Sequence, residues 1–382
     1  MRSYIVRTYL FAILILLASC NTSKRVTQSA AVISRLQYLG GYEIPFNLKY
    51  SNTTVGGLSG IDYDAENDLY YFICDDRSDK DPARFYTAKI YIQPKGIDSM
   101  IFTGVRSILQ PNGKVYPNSK QDRYNTPDPE AIRLNTRSGL LAWSSEGERI
   151  VKSDDTVLVN PSVLLINKDG RYKDSFSLPL NLTMRSSENG PRKNSVLEGL
   201  TYADNFKTLY VSVEEPLYED GPKADIIENN AFIRILKFNT KTKQCTKQFA
   251  YKLDPVAYPA RPETEFKING VPDILNLGNN KLLVIERSFS TGRLACTIKV
   301  FVADLDRATD ISSMALQHDH GFIPATKKLI LNMDQLGIYT DNIEGVSFGP
   351  VLPNGHKTLL FVADNNFSVL EKAQVLLFEV IE

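Results

Sequence analysis

One unit recurs five times along this chain at nearly constant spacing, and each copy ends a hydrophobic strand in acid. The copies read GLSGIDYDAENDLYYFICDDR from Gly57, DPEAIRLNTRSGLLAWSSEGE from Asp128, LEGLTYADNFKTLYVSVEEP from Leu197, GVPDILNLGNNKLLVIER from Gly270 and NIEGVSFGPVLPNGHKTLLFVADNN from Asn342. Their starts lie 71, 69, 73 and 72 residues apart. A fixed period of this size without helical patterning predicts a modular β architecture, because each unit can bury its apolar faces only by stacking on its neighbours.

Within each copy a short opening strand turns through Asn, Asp or Gly into a second strand rich in β-branched and aromatic residues, at 69–73, 140–143, 209–213, 282–285 and 359–362. Runs apolar on both faces fit strands sandwiched between neighbouring sheets. Two further strand candidates follow in four of the five units, and four strands per unit is the content of a propeller blade. The fifth unit ends one strand short, while residues 36–43 supply an unpaired strand at the other end of the chain. The sequence therefore predicts an all-β fold, a five-bladed β-propeller closed by an N-terminal strand that hides both sheet edges. A six-bladed ring stays open, since segments 104–127 and 179–196 have room for further strands. Apart from a turn near 304–311, no helix is expected.

Arg2 and Arg7 precede an apolar run at 9–17 that stops at Ala18-Ser19-Cys20. The run is shorter than the ~20 residues a membrane-spanning helix needs, so residues 1–19 read as a secretory signal. Leu17-Ala18-Ser19-Cys20 resembles the bacterial lipobox, which makes Cys20 the expected lipidated first residue of the mature chain and 20–35 a tether ahead of a single domain at 36–382. An ordinary cleaved signal is the alternative. Asn21 follows where aspartate would argue for inner-membrane retention, so the expected place is the outer membrane, on its periplasmic or surface face, with the lipid as the sole membrane contact. Lysine plus arginine and aspartate plus glutamate balance at 44 each, which gives no basic patch for nucleic acid. Cys74, Cys245 and Cys296 remain after Cys20, so at most one disulfide is expected, and Cys74 reads as a buried small hydrophobe.

In a propeller the innermost strands line a central channel, so repeat symmetry carries equivalent side chains toward one axis. Aligned on their openers, the units place Ser59, Glu130, Glu198, Asp273 and Glu344 in one register. Aligned on their second strands, they end in Asp75-Asp76, Glu146, Glu214-Glu215, Glu286 and Asp364. So many carboxylates in one space repel unless cations or protons compensate, and calcium, which takes six to eight oxygen ligands, suits such a ring. The expected metal ligands are Asp75, Asp76, Glu130, Glu146, Glu198, Glu215, Asp273, Glu286, Glu344 and Asp364. Arg77 and Arg287 directly follow two of the terminal acids and could pair with them or hold an anionic oxygen. The alternative reading makes these acids fasteners between blades, bonded to backbone amides.

The order of Gly57-Leu58-Ser59-Gly60-Ile61-Asp62, Asp75-Asp76-Arg77, Asp128-Pro129-Glu130-Ala131, Glu146, Glu198-Gly199, Glu214-Glu215, Glu286-Arg287, Glu344-Gly345 and Asp364-Asn365 resembles the bacterial "esterase-like activity of phytase" family, also called phytase-like proteins, over about 36–382. The resemblance implies a calcium-dependent propeller that cleaves phosphate esters. Unit two, ending Ser145-Glu146-Gly147-Glu148, departs from it in having no adjacent arginine. On this reading Glu198 and Glu214 serve as catalytic bases, and Arg77 or Arg287 contacts the anion of a small ester.

Other chemistries lack their residues. The chain has no Gly-x-Ser-x-Gly elbow, P-loop, dinucleotide fingerprint or paired-cysteine zinc signature. Its three histidines, His318, His320 and His356, give poor support to serine–histidine hydrolysis, and His318-Asp319-His320 reads as a solvated loop. Metal-assisted hydrolysis is the enzymatic route these residues allow. The competing classes are a lactonase-like calcium propeller and a non-catalytic propeller that binds a carbohydrate or an envelope partner. Tyr63, Tyr124, Tyr202, Phe289 and Phe367 are candidates for stacking a sugar, and a monomer is expected.

Overall fold

The structure, a computed structural model, describes residues 32–93 and 95–382. The expected signal at 1–19, Cys20 and the tether up to residue 31 lie outside the described residues. Five antiparallel four-stranded sheets stand around one axis, and each begins at the axis with a repeat opener. Blade 1 contains Leu58–Asp64, Leu69–Cys74, Arg84–Gln93 and Gly96–Ser107. Blade 2 contains Pro129–Asn135, Leu140–Ser145, Ser162–Ile166 and Tyr172–Ser175, and blade 3 contains Leu197–Ala203, Thr208–Val213, Phe232–Asn239 and Cys245–Lys252. In blade 4 the inner strand is broken into Lys267–Gly270 and Ile274–Gly278, both paired with Lys281–Ser290, followed by Thr297–Asp304 and Thr326–Asn332.

Blade 5 is made from both ends of the chain. Asn342–Phe348, Thr358–Asp364 and Ala373–Ile381 are completed on the outside by Arg35–Ile44, which pairs antiparallel from Arg35↔Ile381 to Ile44↔Ala373. The ring is thus closed by main-chain hydrogen bonds between the first and last strands, which removes the open edge a linear array would leave.

The five-unit reading holds and the six-blade option falls. Segment 104–127 completes the outer strand of blade 1 and continues through a Leu109↔Val115 bridge to the short helix Ser119–Asp122, capped by Asn118. Segment 179–196 is irregular apart from one 3-10 turn. No helix forms at 304–311, where the chain leaves its strand in a turn, and Ser119–Asp122 is the one α-helix among the described residues. The inner hairpins turn as their residues suggest. Asn279 and Asn280 take φ of 50° and 53°, the left-handed pair of a tight two-residue hairpin.

Second strands are buried on both faces because each sheet is covered by its two neighbours. A separate apolar cluster fills each interface between adjacent blades: Tyr71, Ile73, Ile132 and Trp143 join blades 1 and 2, and Phe72, Tyr86, Leu360 and Leu377 join blades 1 and 5. Cys74 and Cys296 are buried and Cys245 half-buried, all as free thiols.

On the axis a single guanidinium spans four blades. Arg133 of blade 2 donates to the Ile61 carbonyl of blade 1 at 2.6 Å, to the Ile274 carbonyl of blade 4 at 3.3 Å and to the Val346 carbonyl of blade 5 at 3.1 Å, and it pairs with Asp273 of blade 4 at 2.6 Å. Asp273 also accepts from the amide of Val346. Burial pushes the Asp273 carboxyl up to about 6, with Arg133 opposing, so it is ionised at neutral pH. Removing one member of a buried pair leaves an uncompensated charge and costs about 3–5 kcal/mol. Arg133→Ala should lower unfolding free energy in urea by that amount. A loss below about 1 kcal/mol would show that the axis does not depend on this contact.

Candidate metal centre

In every blade the ladder between first and second strands is interrupted at the register residue of the opener. Pairing jumps from Leu58↔Cys74 to Gly60↔Ile73, from Pro129↔Ser145 to Ile132↔Trp143, from Leu197↔Val213 to Leu200↔Val211 and from Ile343↔Ala363 to Gly345↔Val362. In blade 4 the inner strand breaks between Gly270 and Ile274. The residues at these interruptions are Ser59, Glu130, Glu198, Glu344 and Asp273, the register of the openers. A bulge turns one residue out of the pleat and re-aims its side chain. It also frees an amide, which a second-strand serine takes up: Ala131 N–H donates to Ser144 Oγ at 3.0 Å and Gly199 N–H to Ser212 Oγ at 3.1 Å.

The glycine after the acid is a packing requirement. A Cβ on Gly199 would lie 2.8 Å from the Asp273 Cα, and one on Gly60 would lie 2.8 Å from the Glu130 carbonyl oxygen. Inner strands of adjacent blades therefore meet backbone to backbone, which brings the bulged acids close together.

Eight carboxylates converge. Glu130, Glu198 and Glu344 come from bulges, Asp75, Glu146, Glu214 and Asp364 from the ends of second strands, and Asp128 from the approach to blade 2. Oxygens of Asp75, Glu344 and Asp364 lie within 4.8 Å of one another, as do those of Asp128, Glu130 and Glu146 and those of Glu146, Glu198 and Glu214. Six of the eight are buried, and Asp75 and Glu344 are half-buried. Two guanidiniums face them. Arg287 donates to Glu214 and Glu344 at 2.5 Å each and to Asn342 at 2.7 Å. Arg77 pairs with Glu148 at 2.9 Å and with Asp128 at 3.4 Å, so blade 1 supplies the arginine that unit two lacks. Both are engaged by carboxylates, and of the two roles the sequence offered them, pairing with acids is the one present here.

Burial, reinforced by neighbouring acids, raises the pKa values of the group. Glu146 and Glu214 are each pushed up to about 7, for Glu146 with Glu214 as the next cause and for Glu214 against the pull of Arg287. Asp75, Glu130, Glu198 and Asp364 are pushed well above the usual carboxylate range, chiefly by burial and then by one another.

The donor set fits a hard cation. It is all oxygen, it sets eight carboxyl groups against two arginines, and the buried Asp364 Oδ1 has no hydrogen-bond partner. A buried carboxylate oxygen without a partner is costly, and a cation beside Asp75 and Glu344 removes that cost. Soft-metal ligands are absent from the group.

Four of the ten expected ligands lie elsewhere, and strand geometry explains each. Adjacent residues on a strand face opposite ways, so Asp75 and Glu214 point inward while Asp76 and Glu215 point outward. Asp76 pairs with buried Arg84 at 2.7 Å and accepts from the amides of Asp79, Lys80 and Asp81. Glu215 accepts from Ser195 Oγ and Lys223 at 2.5 Å each. In blade 4 the inward place belongs to Arg287, so Glu286 faces Tyr251, Asn269 and Lys327. Asp273 answers Arg133. These four are fasteners, as the alternative reading of the acids had it. Ser59 also fastens, donating to the Glu130 carbonyl at 2.7 Å.

Sequence reasoning missed Asp128 as a member of the group, although Asp128-Pro129-Glu130 holds it two residues before the bulge. It missed Arg133 altogether, since no repeat register marks it. Of the aromatic candidates, Phe289 lines a cleft beside Glu214 and Glu344, Tyr63 and Tyr202 line a pocket at the opposite mouth of the channel with Arg133, Tyr124 is exposed, and Phe367 packs near Gly56 and Gly57.

Comparison with curated protein sequences gives no match. Among solved structures the chain is similar to an exo-β-1,3-galactanase from Phanerochaete chrysosporium, at 12% identity and a TM-score of 0.43 over 89% of this chain and 64% of that one. It is also similar to a periplasmic gluconolactonase from Pseudomonas aeruginosa, at 10% identity and a TM-score of 0.38 over 86% of this chain and 90% of that one. A gluconolactonase from Xanthomonas campestris gives 11% identity and a TM-score of 0.36 over 84% and 71%. The chain thus spans just under two thirds of the galactanase. The family described as "Phytase-like: Esterase-like activity of phytase" matches residues 53–367, and the chain belongs to it.

Proposed function

We propose that this chain is an exported, lipid-anchored hydrolase of phosphate or related esters that works with calcium held by the axial carboxylates. The observation that carries this reading is the cluster of buried carboxyl groups, with Asp364 Oδ1 left unpartnered among them. Asp75, Glu344 and Asp364 would form one ligand group, and Asp128, Glu130, Glu146 and Glu198 a second, shared through Glu146. When bound, the cation supplies charge neutralisation and Lewis-acid polarisation of the ester.

The chain's own residues supply proton handling and positioning. Glu214, which lines the cleft beside the group, would act as general base rather than ligand once the cation is held by the other acids. It takes a proton from water as the water oxygen bonds to phosphorus or acyl carbon, and returns it to the oxygen released when the ester bond breaks. Glu198, within the same triad, is the second candidate base. Arg287 is a positioning residue that fixes Glu214 against Glu344, and Arg77 does the same for Asp128. The pairing of both arginines favours a second reading, a cation-dependent propeller that binds a ligand without turning it over.

Metal-stripped protein should gain thermal stability with calcium and, in the same titration, turn over a generic aryl phosphate. Stabilisation without turnover of any ester would overturn the hydrolase reading in favour of the binding one. Glu198→Gln should weaken calcium binding at least about tenfold, given that even outer-shell partners of metal sites cost about 10–100-fold, and an unchanged titration removes Glu198 from the site. Asp273→Asn should leave that titration unchanged while lowering stability.

The pH response has a definite sign. Glu146 and Glu214 bind protons more tightly folded, at about 7, than an ordinary glutamate does at 4.5, so without cation stability falls as pH rises from about 4.5 through 7. Carboxyls held low, such as Asp64 and Asp254, act below about pH 4 and do not offset this. Protein in chelator should melt higher at pH 5.5 than at pH 8, and the gain from calcium should be larger at pH 8. A chelated protein more stable at pH 8 would refute the raised acids.

The anchor has its own test. Cys20→Ser should move the protein from the membrane fraction to the soluble fraction, and an unchanged distribution would remove the lipid from the reading.

A further inference from the structure

We infer that the ligand of the carboxylate site is an ester with one anionic head and an apolar arm, and that a polyphosphorylated molecule is not its ligand. This rests on the cation-dependent reading above. A cleft of about 500 Å3 opens directly beside Glu214, Arg287 and Glu344. Four large apolar side chains line it between the polar ones: Phe266, Phe289, Leu294 and Leu370. The last three come from different places in the fold, Phe289 from the second strand of blade 4, Leu294 from the turn after it and Leu370 from the loop after the second strand of blade 5.

Phe266, Leu294 and Leu370 are 57%, 69% and 72% exposed. Three large apolar side chains left open at one cleft mark a binding surface rather than packing. Phe266 and Phe289 stand with ring centroids 6.2 Å apart, a spacing at which aromatic rings attract.

The charge of the cleft decides against a polyanion. Among the described residues that line it, the basic side chains are Arg287 and Arg293. Arg287 is held by Glu214, Glu344 and Asn342. Arg293 lies with its guanidinium carbon 3.6 Å from the Tyr258 ring centroid, stacked on an aromatic face. Against them the cleft carries Glu214, Glu344, Asp341 and Glu371. A ligand with several phosphates would place its outer charges against these four acids, with Arg293 the one lining cation not held by a carboxylate. A single anionic head is satisfied at the carboxylate-held cation, and an aryl or acyl arm removes water from the apolar walls.

The test uses calcium-loaded protein and two non-hydrolysable probes with the same head, benzylphosphonate and methylphosphonate, compared by calorimetry with inositol hexakisphosphate. Benzylphosphonate should bind at least about tenfold more tightly than methylphosphonate, within the range a hydrophobic pocket yields for added apolar groups, and more tightly than inositol hexakisphosphate. In Leu294→Ser/Leu370→Ser, where both changes fall on exposed side chains, the advantage of benzylphosphonate should drop at least about threefold while calcium binding persists. Equal affinities for the two phosphonates, no binding of either, or tighter binding of inositol hexakisphosphate would each overturn the inference. The hydrolase reading is judged separately by turnover of benzyl phosphate and glycerol 2-phosphate, whose leaving alcohols are both alkyl. Benzylphosphonate preference without turnover of either ester leaves the cleft assignment standing and removes the hydrolase.

Discussion

Backbone-to-backbone contact of five inner strands around one axis is the constraint from which the rest of this molecule follows. Where a Cβ at Gly60 or Gly199 would sit 2.8 Å from the next blade, the channel between the strands is too narrow for one side chain per blade. Arg133 occupies it alone and satisfies carbonyls from three other blades. Its charge requires a buried counter-ion, which Asp273 supplies. This buried pair ties blades 2, 4 and 5 together at the axis.

The same constraint explains why blade 4 differs from its siblings. Its acid is committed to Arg133, and its inner strand breaks at Asp273 where the others merely bulge. The break changes which residue of the Glu286-Arg287 pair faces inward, so the fourth blade presents a guanidinium to the carboxylate group. That substitution of cation for acid lies between Glu214 of blade 3 and Glu344 of blade 5. It lowers repulsion at one side of the group and leaves the Asp75, Glu344 and Asp364 side, where Asp364 Oδ1 has no partner, more dependent on an added cation.

Much of this was legible in the sequence because a propeller repeats its local rules. The period located all five blades, the apolar second strands located their centres, and the spare strand at 36–43 located the closure, since each depends on contacts that recur. The register of Glu130, Glu198 and Glu344 was legible for the same reason. What failed was direction. Asp75 and Asp76 read as two ligands, and Glu214 and Glu215 as a base and a ligand of one site, but neighbouring residues on a strand cannot face one axis. Glu286 and Asp273 carried the right register in the wrong blade, because a strand break leaves no mark in composition. Arg133, which occurs once, was invisible to an argument built on recurrence, and Asp128 was hidden because it lies outside the two aligned registers.

Function is less legible than fold because the charges that set it are shared across blades. Arg77 neutralises Asp128 and Glu148 of the next unit, while Arg287 neutralises one acid from each neighbour, so neither arginine can be assigned a role from the residues beside it in sequence. An arginine next to an acid looks like an anion clamp, yet here the acids it meets are 51 to 73 residues away. The consequence is a site whose own cations are spent internally. On the proposed reading, affinity for an anion comes from recruited cations and selectivity from what lies beyond the carboxylates. On the Arg287 side that surface carries Phe266, Phe289, Leu294 and Leu370 between its acids, and the same reading ties recognition to a non-polar arm and chemistry to the axis.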